Sequence, residues 1–306
     1  MPEALRGGSV NRQRLVEELD EIGKLLRVGD YPSAEVKLEW VIARSGDDDN
    51  IDLHWLARIW MAFINIQSRN VQEAIPDLLL ALEVAEQTKD PVLQFWANYV
   101  LATYYLSNRQ YFHATGYGLK AYQVAKVLND RQKSLIILQI MGILHSKIGE
   151  LTSAEDYYRE WLRLAGDSAE PIFIANNYCN LGYVKYQQGD YRQAIKYTQI
   201  AIDMFQKTEG EFYLANCYLN MGQILRDMLR FAEAKDYLDR SKSIFSRLGE
   251  EMRVMQVLEA SGKLMILEGE LKEGLDLLRQ VHSAYSQHSL PETKDLEQYI
   301  REHSDS

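Results

Sequence analysis

Cysteine is nearly absent: Cys179 and Cys217 are the only two in 306 residues, too few for a disulfide framework and suited to a reducing compartment. Proline (6) and glycine (18) are also sparse. An all-β chain of this length would need a turn signal about every 8 to 12 residues, so their scarcity favours helices. No long apolar run exists. The longest, Leu135 to Leu144, spans ten residues and contains Gln139, whereas a bilayer span needs about 20. The first residues (MPEALRGGSVNRQRL) lack an apolar h-region and a small-residue cleavage site, so no secretory signal is read and a cytoplasmic location is expected. Positive charge is short too. The 34 Lys and Arg stand against 44 Asp and Glu, a net charge of -10 that disfavours nucleic acid as a partner.

What remains is an ordinary folding composition, 46% hydrophobic and 25% charged, in a length that fits two domains or one elongated repeat array. A repeat decides between them. Ala34, Ala74, Ala114, Ala154, Ala194, Ala234 and Gly274 recur at a spacing of 40 residues. Three residues before each stands an apolar or aromatic residue: Tyr31, Val71, Tyr111, Leu151, Tyr191, Phe231 or Leu271. Two residues earlier again come Gly29, Gly149, Gly189 and Gly269, with Arg109 tolerated at the same place. A second small residue recurs twelve places before the first, as Ala62, Ala102, Gly142, Gly182, Gly222 and Gly262; Ile22 departs from it.

Capping residues keep the same period. Asp30, Asn70 and Asp190 stand where an N-cap would open the second helix of a pair, and Asn50, Asp90 and Asp130 where one would open the first. Pro91, Pro171 and Pro291 follow at the first helical position, where the missing N–H is harmless. The pattern predicts first helices over 11–28, 51–67, 91–107, 131–147, 171–188, 211–228 and 251–268. Second helices are predicted to begin near 31, 71, 111, 151, 191, 231 and 271. The expected organisation is a flexible 1–10, an all-α array of seven helix pairs over 11–290, and a polar capping helix and tail over 291–306.

Within 175–205, Tyr178, Leu181, Gly182, Gly189, Asp190, Tyr191, Ala194 and Ala201 occur in the order of the tetratricopeptide repeat, and the chain resembles that superfamily over roughly 11–290. Tyr178 replaces the usual Trp, Lys185 stands where Tyr is usual, and Gln206 where a closing Pro is expected. The 40-residue period exceeds the usual ~34. It is similar to the long units of bacterial peptide-pheromone receptors, sensory regulators, and polarity and motor adaptor proteins. The resemblance implies a right-handed superhelical solenoid with a groove lined by first helices. Physically, small residues at two places per pair let helices approach, and larger apolar ones fill the gaps between pairs.

Catalytic chemistry finds little footing. The six histidines are scattered; His282 and His288 are six apart, wrong for one helix face, and no metal or cofactor is expected. Gly262-Lys263 lacks the spacing of a phosphate loop, the run Asp47 to Asp49 reads as a solvated loop, and both cysteines read as small core residues. The sharper signal is amides. Asn176 and Asn180 lie four apart on one helix face, and Asn216 and Asn220 repeat them one unit later. Asn is a poor helix-interior residue, and its amide can hold a peptide backbone through donor and acceptor together. The resemblance implies that role for groove asparagines. The alternative is that Asn180 and Asn220 bond between adjacent repeats.

The same face adds Gln139, Tyr183, Gln223, Arg226 and Lys263, with Tyr99 and Tyr186. Arg226 and Lys263 could meet a ligand carboxylate, or be merely solvated. Four amide contacts give roughly 2–6 kcal/mol, so a peptide would also need buried apolar anchors of about 1.5–3 kcal/mol each. The expectation is a non-catalytic module that captures a peptide or protein segment in its groove, without nucleic acid or membrane partners. The alternative is a scaffold using its convex face. A phosphatase of the pheromone-receptor type would need an N-terminal helical bundle, which the repeat beginning near residue 11 leaves no room for.

Overall fold

The computed structural model describes residues 11–68, 74–166, 169–208, 210–287, 290 and 292–304. Its contacts divide at Gly149 into two compact units, residues 1–149 and 150–306. The first unit holds α1 (Arg12–Val28), α2 (Tyr31–Ile42), a single 3-10 turn (Asp48–Asn50), α3 (Ile51–Gln67), α4 (Ala74–Thr88), α5 (Pro91–Ser107), α6 (Tyr111–Leu128) and α7 (Arg131–Lys147). The second holds α8 (Leu151–Ala165), α9 (Pro171–Gln187), α10 (Tyr191–Phe205), α11 (Glu211–Asp227), α12 (Phe231–Arg247), α13 (Glu251–Glu268), α14 (Leu271–Gln287) and α15 (Glu292–Ser304). The predicted first helices agree within one residue at either end. The division falls inside the fourth sequence pair, so α7 belongs to the first unit and α8 to the second.

The caps work as the period requires. Asp30, Asp130 and Asp190 each accept from the backbone N–H three residues on, at 3.0–3.2 Å, and Asp90 accepts from Val92 and Leu93 at 2.8 and 3.1 Å. Asn50 is the exception: it precedes α3 but makes no cap bond; its Nδ2 donates to Asp47 Oδ1 at 2.7 Å and its Oδ1 faces Arg12 Nη1 at 3.5 Å. Asn70, Val71 and Pro291 lie outside the described residues. Between helices the chain turns through the left-handed region at Gly29 (φ 77°), Gly149 (84°), Gly189 (77°) and Gly269 (94°). Arg109 (57°) and Leu229 (59°) make the same turn with a side chain that region disfavours.

Pairing depends on the small residues. A Cβ on Gly222 of α11 would lie 2.7 Å from Leu238 Cγ and Cδ2 on α12, and one on Gly262 of α13 would lie 2.7 Å from Leu278 Cδ2 on α14. Gly182 meets Thr198 of α10 in the same way. The recurring Ala34, Ala74, Ala114, Ala154, Ala194 and Ala234 are buried to within 1%. In the first unit α1, α3, α5 and α7 touch in succession, and in the second α9, α11 and α13 do; among the described residues no comparable series joins the second helices. The layer whose members touch is the inner side of a curve, so in each unit the first helices line the concave face. Helix α15 covers α14, burying Leu296 with Leu278, Val281 and Tyr285. Among the described residues no helix is long and apolar enough to cross a membrane.

Lys185, out of place against the repeat pattern, has its own partner. Its Nζ donates to Glu155 Oε2 of α8 at 2.6 Å and to Gln188 at 2.9 Å. Burial works against the Glu155 charge, but Lys185, Arg159 and Gln188 together hold its carboxyl below the usual range.

Two substitutions test this account with opposite signs. Gly222→Ala forces its methyl against buried Leu238 and should lower stability in urea by about 1–3 kcal/mol, although alanine is the better helix former. Leu229→Gly should raise it by about 0.5–1 kcal/mol: the left-handed penalty of ~1–2 kcal/mol is removed and part of the gain returns to the unfolded chain. Leu229 is 64% exposed, so little burial is lost.

Candidate functional site

The inner face of the second unit is built by α9, α11 and α13, whose 3.6-residue turn brings every third or fourth residue to one side. Asn176, Asn180 and Tyr183 come from α9, Asn216, Asn220, Gln223 and Arg226 from α11, and Lys263 from α13; all are half-buried. Gln139 is half-buried on α7, which belongs to the first unit.

The amides differ in what they already hold. Asn216 Nδ2 donates to the Phe212 carbonyl one turn back at 3.0 Å. Asn220 Nδ2 donates to Cys179 Sγ at 3.4 Å, joining α11 to α9. Asn176, Asn180 and Gln223 make no side-chain hydrogen bond among the described residues. Three amides therefore carry donors and acceptors that the fold leaves open, on helices that fix their positions. Both cysteines are buried and unpaired. Burial first, and contact with Cys179 second, push the Cys217 thiol well up.

The two basic residues are engaged. Arg226 pairs with Asp227 at 2.6 Å and reaches the Tyr186 hydroxyl at 3.4 Å, while Tyr186 donates to Asp227 Oδ2 at 2.7 Å. Burial, then the Asp227 carboxylate, raise the Tyr186 hydroxyl above the ordinary phenol range. Lys263 pairs with Glu259 at 2.6 Å and lies 5.0 Å from the centre of the Tyr299 ring of α15. Glu259 also accepts from Tyr285 at 3.1 Å. Tyr183 accepts from Gln187 at 3.2 Å, and burial raises its hydroxyl too. Asp227, Glu259 and Tyr299 were not among the sequence candidates. The i to i+4 spacing of Glu259 and Lys263 was readable as a helix pair; the Tyr299 contact has no local signal. Among the described residues no group of three or more His, Cys, Asp or Glu is assembled in a way that could hold a metal.

The geometry can therefore offer open amides between ordered rings and internally neutralised charges, a surface for polar backbone rather than for ions. Residues 173–247, covering the amide-bearing α9 and α11, match the tetratricopeptide repeat family. No curated protein matches the sequence significantly. A Rap protein complexed with competence and sporulation factor is similar in structure at 15% identity, with 96% of this chain and 98% of that one covered and a TM-score of 0.62. Aspartyl phosphate phosphatase F from Bacillus subtilis is similar at 14% identity, 99% and 97% coverage and a TM-score of 0.60. A signal transduction ATPase with numerous domains and a tetratricopeptide repeat sensor, from Pyrococcus horikoshii, has 17% identity and a TM-score of 0.70, with 95% of this chain and 43% of that one covered. Residues 173–247 thus carry the match to the tetratricopeptide repeat family, and the chain as a whole shares an all-α fold with these solved structures.

Proposed function

We propose that this chain is a non-catalytic binding module whose second unit holds an extended peptide or partner segment along α9, α11 and α13, in signalling or regulation within the cytoplasm. The observation that carries the reading is the open state of Asn176, Asn180 and Gln223: half-buried amides with no internal partner. A polar group left covered and unpaired costs about 1–3 kcal/mol, so a segment docking there must supply hydrogen bonds, and a peptide backbone has them at every residue. Asn220 and Asn216 enter as the frame, since their amides are already engaged. Arg226 and Lys263 act as neutralised charges that keep the face shaped. The complex named for the similar Rap protein is in keeping with capture of a partner on such a fold. The likeness to the aspartyl phosphate phosphatase spans nearly the whole of both chains, so a reading without catalysis rests on the side chains and not on a missing N-terminal bundle.

A scaffold reading has its own observation. On α6, Phe112 and Val127 are 88% and 83% exposed, with Leu119 beside them, an apolar stripe on a second helix that could bind a partner outside the groove.

A peptide-array screen with the full chain tests the first reading. Asn176→Ala/Asn180→Ala should weaken peptides bound by wild type roughly 5- to 100-fold, the worth of two hydrogen bonds, with unchanged thermal stability. Unchanged affinity in that folded variant, together with loss of binding in Phe112→Glu, would move the function to the scaffold reading. Asn220→Ala should instead lower stability by about 0.5–1.5 kcal/mol, which urea unfolding measures.

A further inference from the structure

The concave face of the first unit holds an open-mouthed cavity of about 590 Å³, within the ~300–1,000 Å³ of ordinary ligand sites. Its walls are aromatic: Trp60 and Phe63 of α3 and Trp96 and Tyr99 of α5, between Gly23 of α1 and Ile136 of α7. The space exists because α1 presents Gly23 where the next pair presents Phe63; a Cβ there would only reach ordinary contact with Trp60, at 3.6 Å. None of the amides in the second unit takes part.

The rings and charges decide what would fit. Trp60 and Trp96 meet edge to face at 5.8 Å, as do Trp96 and Tyr99 at 5.7 Å. In that packing the edge of one ring serves the face of the next, so the cluster is an apolar wall and not a box of open faces for a cation. Arg27 and Lys133, which also line the cavity, repel a cation as well. Lys133 is held by Asp130 at 2.5 Å. Arg27 is exposed and uses only Nε, on the Gly23 carbonyl at 3.1 Å; its two amino groups have no partner among the described residues. Asp20 is the one acid on the lining. The Trp60 indole N–H is buried with no acceptor, an unmet donor in the wall.

We propose that this cavity is a second binding site, for a bulky apolar peptide side chain with a carboxylate beside it, the apolar part among the rings and the carboxylate on Arg27. A C-terminal Leu or Phe meets this description, as does an apolar residue next to Asp or Glu. The pairing is bidentate in the manner of guanidinium and carboxylate, and the ring wall supplies the apolar contact.

The full chain is titrated with N-acetyl-Phe-Leu bearing a free carboxylate, with its C-terminal amide, and with decanoate, by calorimetry and by the indole N–H resonances of Trp60 and Trp96. The acid should bind saturably and shift both resonances, at least fivefold more tightly than the amide. Arg27→Gln, on an exposed residue, should erase that preference. Gly23→Leu puts a branched side chain into the cavity beside Trp60 while favouring the helix, and should cut affinity tenfold or more; Asn176→Ala/Asn180→Ala should leave the Trp60 and Trp96 shifts unchanged, which separates this site from the groove of the second unit. No saturable binding at millimolar acid, equal affinity for acid and amide, or undiminished binding by Gly23→Leu would each overturn the proposal. Decanoate binding more tightly than the dipeptide would overturn the peptide source in favour of a fatty carboxylate.

Discussion

The closeness of each first helix to its second helix, at a place that tolerates no bulk, is the constraint on which the structure depends. At Gly182, Gly222 and Gly262 the facing side chain already fills the position a methyl would take. That contact lets a short pair bury Leu238 or Leu278 fully against a helix backbone. A single pair still leaves both outer faces apolar, and the next pair must cover them. The buried cluster running from Ala175 to Leu264 through α9 to α13 is the product, one core shared by successive pairs. Aligned approach of the first helices follows, and with it a concave face in each unit whose side chains are held by helices on either side.

That shared architecture carries two different surfaces. In the second unit the inner positions hold Asn176, Asn180 and Gln223 with open amides. In the first unit the inner positions hold Trp60, Phe63 and Trp96 around an empty volume. The difference is chemical and not topological: amides suit a backbone of any sequence, whereas rings select for apolar side chains. Charges on the second face are consumed within it. Arg226 is paired with Asp227 and Lys263 with Glu259, while the two amino groups of Arg27 in the first unit have no partner among the described residues.

Helix limits and the all-α repeat were legible because they depend on local chemistry repeated every 40 residues: Asp30, Asp90, Asp130 and Asp190 cap in place, and Gly29, Gly149, Gly189 and Gly269 turn in place. Asn50 does not cap because its side chain is drawn to partners outside α3, Nδ2 to Asp47 and Oδ1 to Arg12. Leu229 passed unnoticed, since a left-handed leucine has no signature beyond its place in the period. The candidate asparagines are equivalent in sequence, yet they differ in the fold: Asn220 donates to Cys179, and Asn180 makes no side-chain hydrogen bond among the described residues. The cavity was beyond sequence reading because its walls come from four helices spread over more than a hundred residues, although Gly23, Phe63, Trp60 and Trp96 do share inner-face register. The division of the fourth pair at Gly149 was likewise invisible to a period that runs through it unchanged.

A double-mutant cycle on Gly222 and Leu238 measures the central contact most directly, because it isolates the interaction of the two residues from their separate contributions. With Leu238 shortened to alanine, the added methyl of Gly222→Ala should keep only the Ala234 carbonyl as a close neighbour, at 3.3 Å, so its penalty should shrink and helix propensity should offset most of what is left. A Gly222→Ala penalty of the same size in both backgrounds would contradict the claim that close approach at these positions sets the fold.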